Sequence, residues 1–309
     1  MQKALRHSDA ATRTLTDAAR ALAMRWRVGA LACFVGLIGC RPAVEPRVVG
    51  YFGPTEPLAS VVGQINANNS RIPTLWAKGY FEATLIDQRS KKQFVNGDAV
   101  LLLRKPGEFR MVGRKDVAGQ VFELGTTERE YWMIVRPEAD TMWWGAYDRL
   151  AHANPGLIPI RPDLLMQVLA VGDIDDDLLR EPAPFLRFNS DADAYMLVWV
   201  QRDDGRFVAQ REVWYDRATL LPKLVLLFDE NGRIVVRAYL SEHREIPEAG
   251  GKIAGRYQLF FPDSGTRLDL KLSEAKLSQN GVPRAGSIAF PGENAGVSNI
   301  VRVDEEPAR

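Results

Sequence analysis

The sequence predicts a mainly β, α+β fold: one large antiparallel sheet carrying two or three helices. Three observations predict it. About twelve short apolar or alternating stretches follow one another from residue 75 to residue 276. Turn signals of Gly, Pro, Asn and Asp recur roughly every 8 to 12 residues, a hairpin spacing that leaves little chain for helical crossovers. Helical periodicity is confined to two places, one near the start of the globular part and one in its middle.

The elements follow in order. Pro42, Pro46, Pro54 and Pro57 predict a short extended tether. Leu58, Val61, Val62 and Ile65 fall at i, i+3, i+4 and i+7, one face of a helix that Thr55 would cap and Asn68-Asn69 would end. Strands are expected at 75–87, 94–105, 108–114, 121–124, 131–136 and 141–145, with turns at Pro106-Gly107, Val117-Ala118-Gly119 and Pro137 to Asp140. A loop over 153–159 leads to a second helix that starts at Pro162-Asp163, with Leu165, Val168, Leu169 and Gly172 on one side. Residues 173–181 are acidic and are expected to be solvated. Strands resume at 195–201, 207–215, 222–228, 234–240, 253–261 and 266–276, separated by Asp203-Asp204-Gly205, Asp229 to Gly232 and Asp263-Ser264-Gly265.

Composition bounds the function. The 309 residues carry 40 Lys+Arg against 39 Asp+Glu, a formal charge of +1 that excludes the basic footprint of a nucleic-acid binder. With 46% hydrophobic residues the chain has ample material for a core and is not of disordered composition. Two cysteines, Cys33 and Cys40, exclude a disulfide scaffold and a four-thiolate zinc site. Three histidines, His7, His152 and His243, leave little for a His-rich metal centre.

The N-terminus reads as an address. Arg25 and Arg27 precede the uncharged run Val28 to Gly39, the order of a secretory signal. As a helix the run would extend about 18 Å, short of a bilayer core of roughly 30 Å. It ends in Leu37-Ile38-Gly39-Cys40, which resembles the bacterial lipobox. That resemblance implies cleavage before Cys40, diacylglycerol on its sulfur and acylation of the new N-terminus. Two acyl chains anchor stably where one would be marginal. Met24 is an alternative start to Met1. Arg41 follows the cysteine where an Asp would imply retention in the inner membrane, so the expected location is the outer membrane, facing the periplasm. The expected division is a leader and signal over 1–39, a lipidated tether over 40–57, a globular domain over 58–303 and a tail over 304–309.

Three local patterns carry a further resemblance. Lys105-Pro106-Gly107-Glu108-Phe109-Arg110 follows the apolar strand Ala99 to Leu103. Glu212-Val213-Trp214-Tyr215-Asp216 precedes Leu221-Pro222-Lys223 and the Asp229 to Gly232 turn. Leu272 to Phe290 holds a late strand, the turn Asn280-Gly281 and a closing aromatic. In this order they resemble the LolA and LolB family of lipoprotein carriers and receptors, over roughly Leu58 to Val303. The resemblance implies a strongly curved, incomplete antiparallel barrel, closed by helices and holding an apolar cavity for acyl chains. The chain departs from the carriers in having Lys105 where they have Arg, and an ammonium does not reproduce a bidentate guanidinium contact. The receptor's protruding apolar loop has no clear counterpart; Trp143-Trp144 is the candidate.

Alternation places Ala99, Leu101, Leu103 and Lys105 on one side of their strand. By the family's pattern that side faces the cavity together with Phe109 and Met111. Trp132, Ile134, Trp143, Val168 and Leu169 are further candidates for its lining. The same residues would serve equally as plain core, filling the curve of the sheet; it is the resemblance that favours a cavity.

Enzyme motifs are lacking. Asp173-x-Asp175-Asp176-Asp177 lacks the Gly and the terminal Glu of a calcium loop. His152 and His243 are far apart, no Gly-x-Ser-x-Gly elbow occurs, and Gly250-Gly251-Lys252 lacks the spacing of a phosphate loop. The expected protein is therefore not an enzyme and needs no cofactor or metal. It would be an envelope lipoprotein whose partners are an acyl lipid or lipidated protein and, through Cys40, a membrane. A protein partner is not identified. The alternative is a sensor of the RseB type using the same groove to bind a protein; a third reading is a structural lipoprotein with a filled core.

Overall fold

Residues 53–86, 92–136, 139–152, 158, 160–247, 249–277 and 287–305 are described in the computed structural model. The signal, the acyl site at Cys40, most of the tether and the Asn280-Gly281 turn lie outside them. Helix α1 spans Leu58–Asn69, then a meander of six strands follows: β1 Thr74–Ile86, β2 Lys92–Arg104, β3 Glu108–Lys115, β4 Gly119–Thr126, β5 Glu130–Val135 and β6 Thr141–Ala146. A 3-10 turn at Tyr147–His152 and helix α2, Pro162–Val168, lead to β7 Ala183–Asn189, β8 Ala194–Asp203, β9 Arg206–Asp216, β10 Pro222–Phe228 and β11 Ile234–Ser241. The small strands β12 Arg244–Ile246 and β13 Gly251–Ile253 pair with each other, and β14 Arg256–Phe261, β15 Thr266–Lys276 and β16 Asn299–Arg302 complete the chain.

Fourteen strands form one sheet in the order β16-β6-β5-β4-β3-β2-β1-β15-β14-β11-β10-β9-β8-β7. It has two edges, β7 and β16, and so is open and not a closed barrel. Every described pairing is antiparallel except that of β16 with β6. The order explains the helices. After β6 the chain stands at one side of the sheet and resumes at the opposite edge, β7, so the connection over 147–182 must cross the sheet. It crosses on the apolar face, where Ile160, Leu165, Val168, Leu169, Val171 and Ile174 join the main core.

Curvature has local causes. Register shifts at Lys78/Gly79, Gly113/Arg114, Trp199/Val200 and Leu227/Phe228 add a residue to one strand and sharpen twist and bend. Two cross-strand partners remove side-chain bulk where an aromatic ring must lie flat. A Cβ on Gly125 would stand 2.1 Å from the indole of Trp132, and one on Gly113 would stand 2.3 Å from the ring of Phe122.

The expected strands are present, mostly longer by one or two residues, with three corrections. The stretch expected as one strand over 253–261 is interrupted at Ala254-Gly255 and divides into β13 and β14. Strands β7, β12 and β16 were not expected; Pro182 and Pro184 mask β7, and a strand with proline is restricted to an edge, which is where β7 lies. The cap of α1 is Pro57, not Thr55, and it makes no side-chain cap hydrogen bond.

Candidate functional site

The concave face is largely apolar. Leu75, Ala77 and Phe81 of β1, Leu101 and Leu103 of β2, Phe109 and Met111 of β3 and Leu268, Leu270 and Leu272 of β15 belong to one buried cluster. Val213 and Tyr215 of β9 and Val225 and Leu227 of β10 extend it into the second half. What covers this face is small. Alongside Val61, Val62 and Ile65 of α1, the cover is the seven-residue α2 and the segment up to Ile174.

Polar contacts order the start of that cover internally and tie its far end to α1 and β2. At the start of α2, Arg161 donates two hydrogen bonds to the buried Asp163 carboxylate, at 3.2 and 2.6 Å. The pair sits by Tyr131 and Tyr147, whose ring centroids are 5.6 Å apart. Burial, and then the nearby Asp163 charge, push the Tyr131 hydroxyl up to about 12, and push that of Tyr147 further up. Both phenols stay neutral at physiological pH.

Behind α2, the Asn66 amide donates to the Ile174 carbonyl and accepts from the Ile174 N–H, each at 2.8 Å. Asn69 donates to the carbonyl oxygens of Ala170 and Gly172 at 3.4 and 2.8 Å. Lys105 Nζ donates to Asn69 O at 2.7 Å and pairs with Asp173 at 3.0 Å. The acidic stretch expected to be solvated is thus engaged at its first two residues, and Asp175 and Asp177 pair with Arg180.

Packing under the cover is close. The cavity between Leu101, Phe109 and Met111 on the sheet and Leu165, Val168 and Leu169 on the cover measures only about 10 Å³. Two cavities flank it. One of about 20 Å³ is lined by Leu85, Val95, Phe122, Met133 and Ile160 with other apolar residues. The other, of about 110 Å³, lies among Leu103, Lys105, Met166, Arg211, Val213 and Tyr215 with further residues of the cover. Ligand clefts commonly measure about 300–1,000 Å³, so a chain-length ligand requires the cover to move.

Of the residues singled out from the sequence, Leu101, Leu103, Phe109, Met111, Val168 and Leu169 come together on this face, each no more than 4% exposed. Lys105 stands at the rim. Trp143 also points inward, half-buried against the main core. Trp132 and Ile134 do not join them, which corrects the expectation. They belong to a separate outer cluster with Met142, Ile288 and Ala295, against which Trp144 and Phe290 pack. The reason is parity: Trp132 pairs with Trp144 and Met133 with Trp143, so the inward residue of β5 is Met133. Trp143-Trp144 lies within β6 and forms no protruding loop.

Arg211 was missed. It faces the concavity opposite Trp199, with its guanidinium 3.8 Å from the centre of the indole ring. The available signal was the alternation Arg211, Val213, Tyr215, which puts the cation on the apolar side of its strand. Among the described residues no group of three or more His, Cys, Asp or Glu side chains could hold a metal ion, and no helix is long and apolar enough to cross a membrane.

No protein-family model matches the chain, and no curated protein matches its sequence. Solved structures are similar in chain path. One is an outer membrane lipoprotein-sorting protein domain from Vibrio parahaemolyticus, at 10% identity and TM-score 0.49, covering 72% of this chain and 92% of that one. A LolA superfamily protein from Nitrosomonas europaea is similar at 13% identity and TM-score 0.46, over 75% of this chain and 96% of that one. A DUF1329 family protein from Desulfovibrio piger is similar at 10% identity and TM-score 0.49, over 76% of this chain and all of that one, 100%.

Proposed function

We propose that this chain is a lipid-binding module of the bacterial envelope, and that acyl chains enter the apolar concavity when α2 and the segment behind it withdraw. One observation carries the reading: a sheet of fourteen strands turns a continuous apolar face toward a cover of which α2 supplies only seven residues. A structural core of this extent is ordinarily covered by a full second layer, not by two short helices and a connecting segment bonded at its far end.

The energies are matched. Leu164, Leu165, Val168 and Leu169 of α2 and its cap, with Val171 and Ile174 of the segment behind, are the apolar side chains the cover buries. At about 1.5–3 kcal/mol each, they gain roughly 9–18 kcal/mol from the concavity. An acyl chain of about 14 methylenes gains about 11 kcal/mol at about 0.8 kcal/mol per group. Exchange of one for the other is therefore close to balanced, which suits a protein that must release its ligand as well as bind it. The chemistry is non-covalent and draws on no cofactor. The lipobox-like Leu37 to Cys40 supports a membrane-anchored setting, and Arg41 supports the outer membrane.

Residues 50–309 form a compact unit containing every described strand and helix, so the chain from Arg41 onward is the unit to test. Native mass spectrometry of that chain, with lipid extraction, is expected to find acyl lipid at near one-to-one stoichiometry. A lipid-free monomer under gentle conditions would overturn the reading, and a stoichiometric protein in place of lipid would support the sensor alternative.

A further inference from the structure

Arg211 is unusual among the cations of this protein. The other partly buried cation at the same cavity, Lys105, is neutralised by Asp173 at 3.0 Å. Arg161, across the cover, is neutralised by Asp163 at 2.6 Å. Arg211 has neither arrangement: among the described residues it stacks on Trp199 and pairs with no carboxylate. Burial depresses its pKa with only the Tyr215 phenol opposing, yet a guanidinium remains charged at any physiological pH. The cavity of about 110 Å³ thus carries one uncompensated positive charge at a wall that also includes Leu103, Val171, Val213 and Ile174.

A partly desolvated charge in a largely apolar wall is costly, and the cost is offset when an anion docks against it. The stacked ring holds the planar fork in place, and such a fork binds a carboxylate or phosphate through two parallel N–H donors. We infer that Arg211 is the headgroup site of the concavity, and that the ligand is an acyl amphiphile with a single oxyanion head, a carboxylate or phosphate. The tail would run from Arg211 past Leu103 into the space that α2 vacates. The inference rests on the acyl-binding reading above and adds to it the charge of the ligand.

Isothermal titration of residues 41–309 with dodecanoate, dodecyl phosphate, dodecanol and inorganic phosphate tests it. The expected result is binding of both anionic amphiphiles at least about tenfold tighter than dodecanol, with Arg211→Met erasing that preference. Arg237→Met, which removes an exposed arginine stacked on Tyr239, should leave all affinities as they are. Should Arg211→Met fail to fold, Arg211→Lys keeps the charge and loses the fork, and it must weaken the anionic probes several-fold. Equal binding of dodecanol and the anionic amphiphiles overturns the headgroup assignment while leaving the acyl reading intact. Binding of no amphiphile overturns both. Inorganic phosphate bound as tightly as dodecyl phosphate would make the ligand a free anion and overturn the amphiphile assignment.

Discussion

The Lys105 ammonium and the Asp173 carboxylate meet at 3.0 Å, joining the end of β2 to the segment that follows α2. The same ammonium donates to Asn69 O at 2.7 Å, so the last residue of α1 is fastened at that point too. The Asp173 side chain is 53% exposed, and a pair so placed contributes at most about 1 kcal/mol. That is a latch weak enough to open. Lys105→Met should lower global stability by no more than about 1 kcal/mol while raising amide exchange selectively over residues 160–174. Uniform acceleration across the sheet would show that Lys105 supports the fold and not the cover.

Ala170, just past α2, adopts a left-handed conformation with φ of 55°. An L side chain there costs about 1–2 kcal/mol, which glycine avoids. Ala170→Gly is expected to raise the denaturation midpoint and to slow exchange in the cover. A lower midpoint would mean that the entropy of the unfolded glycine outweighs the strain.

The Phe109 ring is fully buried between the sheet and α2. Phe109→Ala should cost about 3–5 kcal/mol in urea titration, the range for an aromatic lost from a close-packed site. A cost near 1 kcal/mol would indicate that α2 sinks readily into the space, and hence that the cover is softer than its packing suggests.

Gly125 lies under the indole of Trp132 on the outer face, with no room for a Cβ. Strand propensity alone favours alanine over glycine, but overpacking here should make Gly125→Ala destabilising by about 1–3 kcal/mol. Paired with Trp132→Leu in a double-mutant cycle, most of that cost should vanish.

His243 sets an acid limit. Burial holds its pKa below 6.5, and its Nε2 is buried without a partner. The unfolded chain therefore takes up a proton at a higher pH than the folded one, so stability falls as pH drops through about 6.5. Against the cost of burial, hydrogen bonds and neighbouring cations hold Asp216 and Asp269 below 3.8, and their contribution is lost only in stronger acid. Melting at about pH 7 and about pH 5.5 should differ for the native chain, and the difference should shrink in His243→Gln.

Much of this architecture was legible because local signals coincide. Asp204 and Gly205 both take positive φ, 42° and 76°, at the turn that their residue types announced. Alternation in β2 was readable because only its inner face is fully buried. In β5, by contrast, Tyr131, Trp132, Met133 and Ile134 are all buried, since Ile288, Ala295 and Phe290 return from far along the chain to cover the outer face. No period survives in such a strand, and Trp132 and Ile134 were accordingly set on the wrong side. The path from β6 to the far edge at β7 was equally hidden: it is fixed by non-local pairing, and it alone decides that α2 lies in the concavity. Arg211 escaped notice because a single cation in a strand reads as solvated until its neighbours across the sheet are known.

The central claim is that an acyl chain and α2 compete for one apolar surface. Hydrogen exchange of residues 41–309, with and without saturating dodecyl phosphate, tests it most directly. The account predicts faster exchange over 160–174 in the bound state, with protection of β2, β9 and β15 kept or increased. Bound amphiphile with unchanged or slower exchange in that segment would contradict it, because the ligand would then lie somewhere other than beneath the cover.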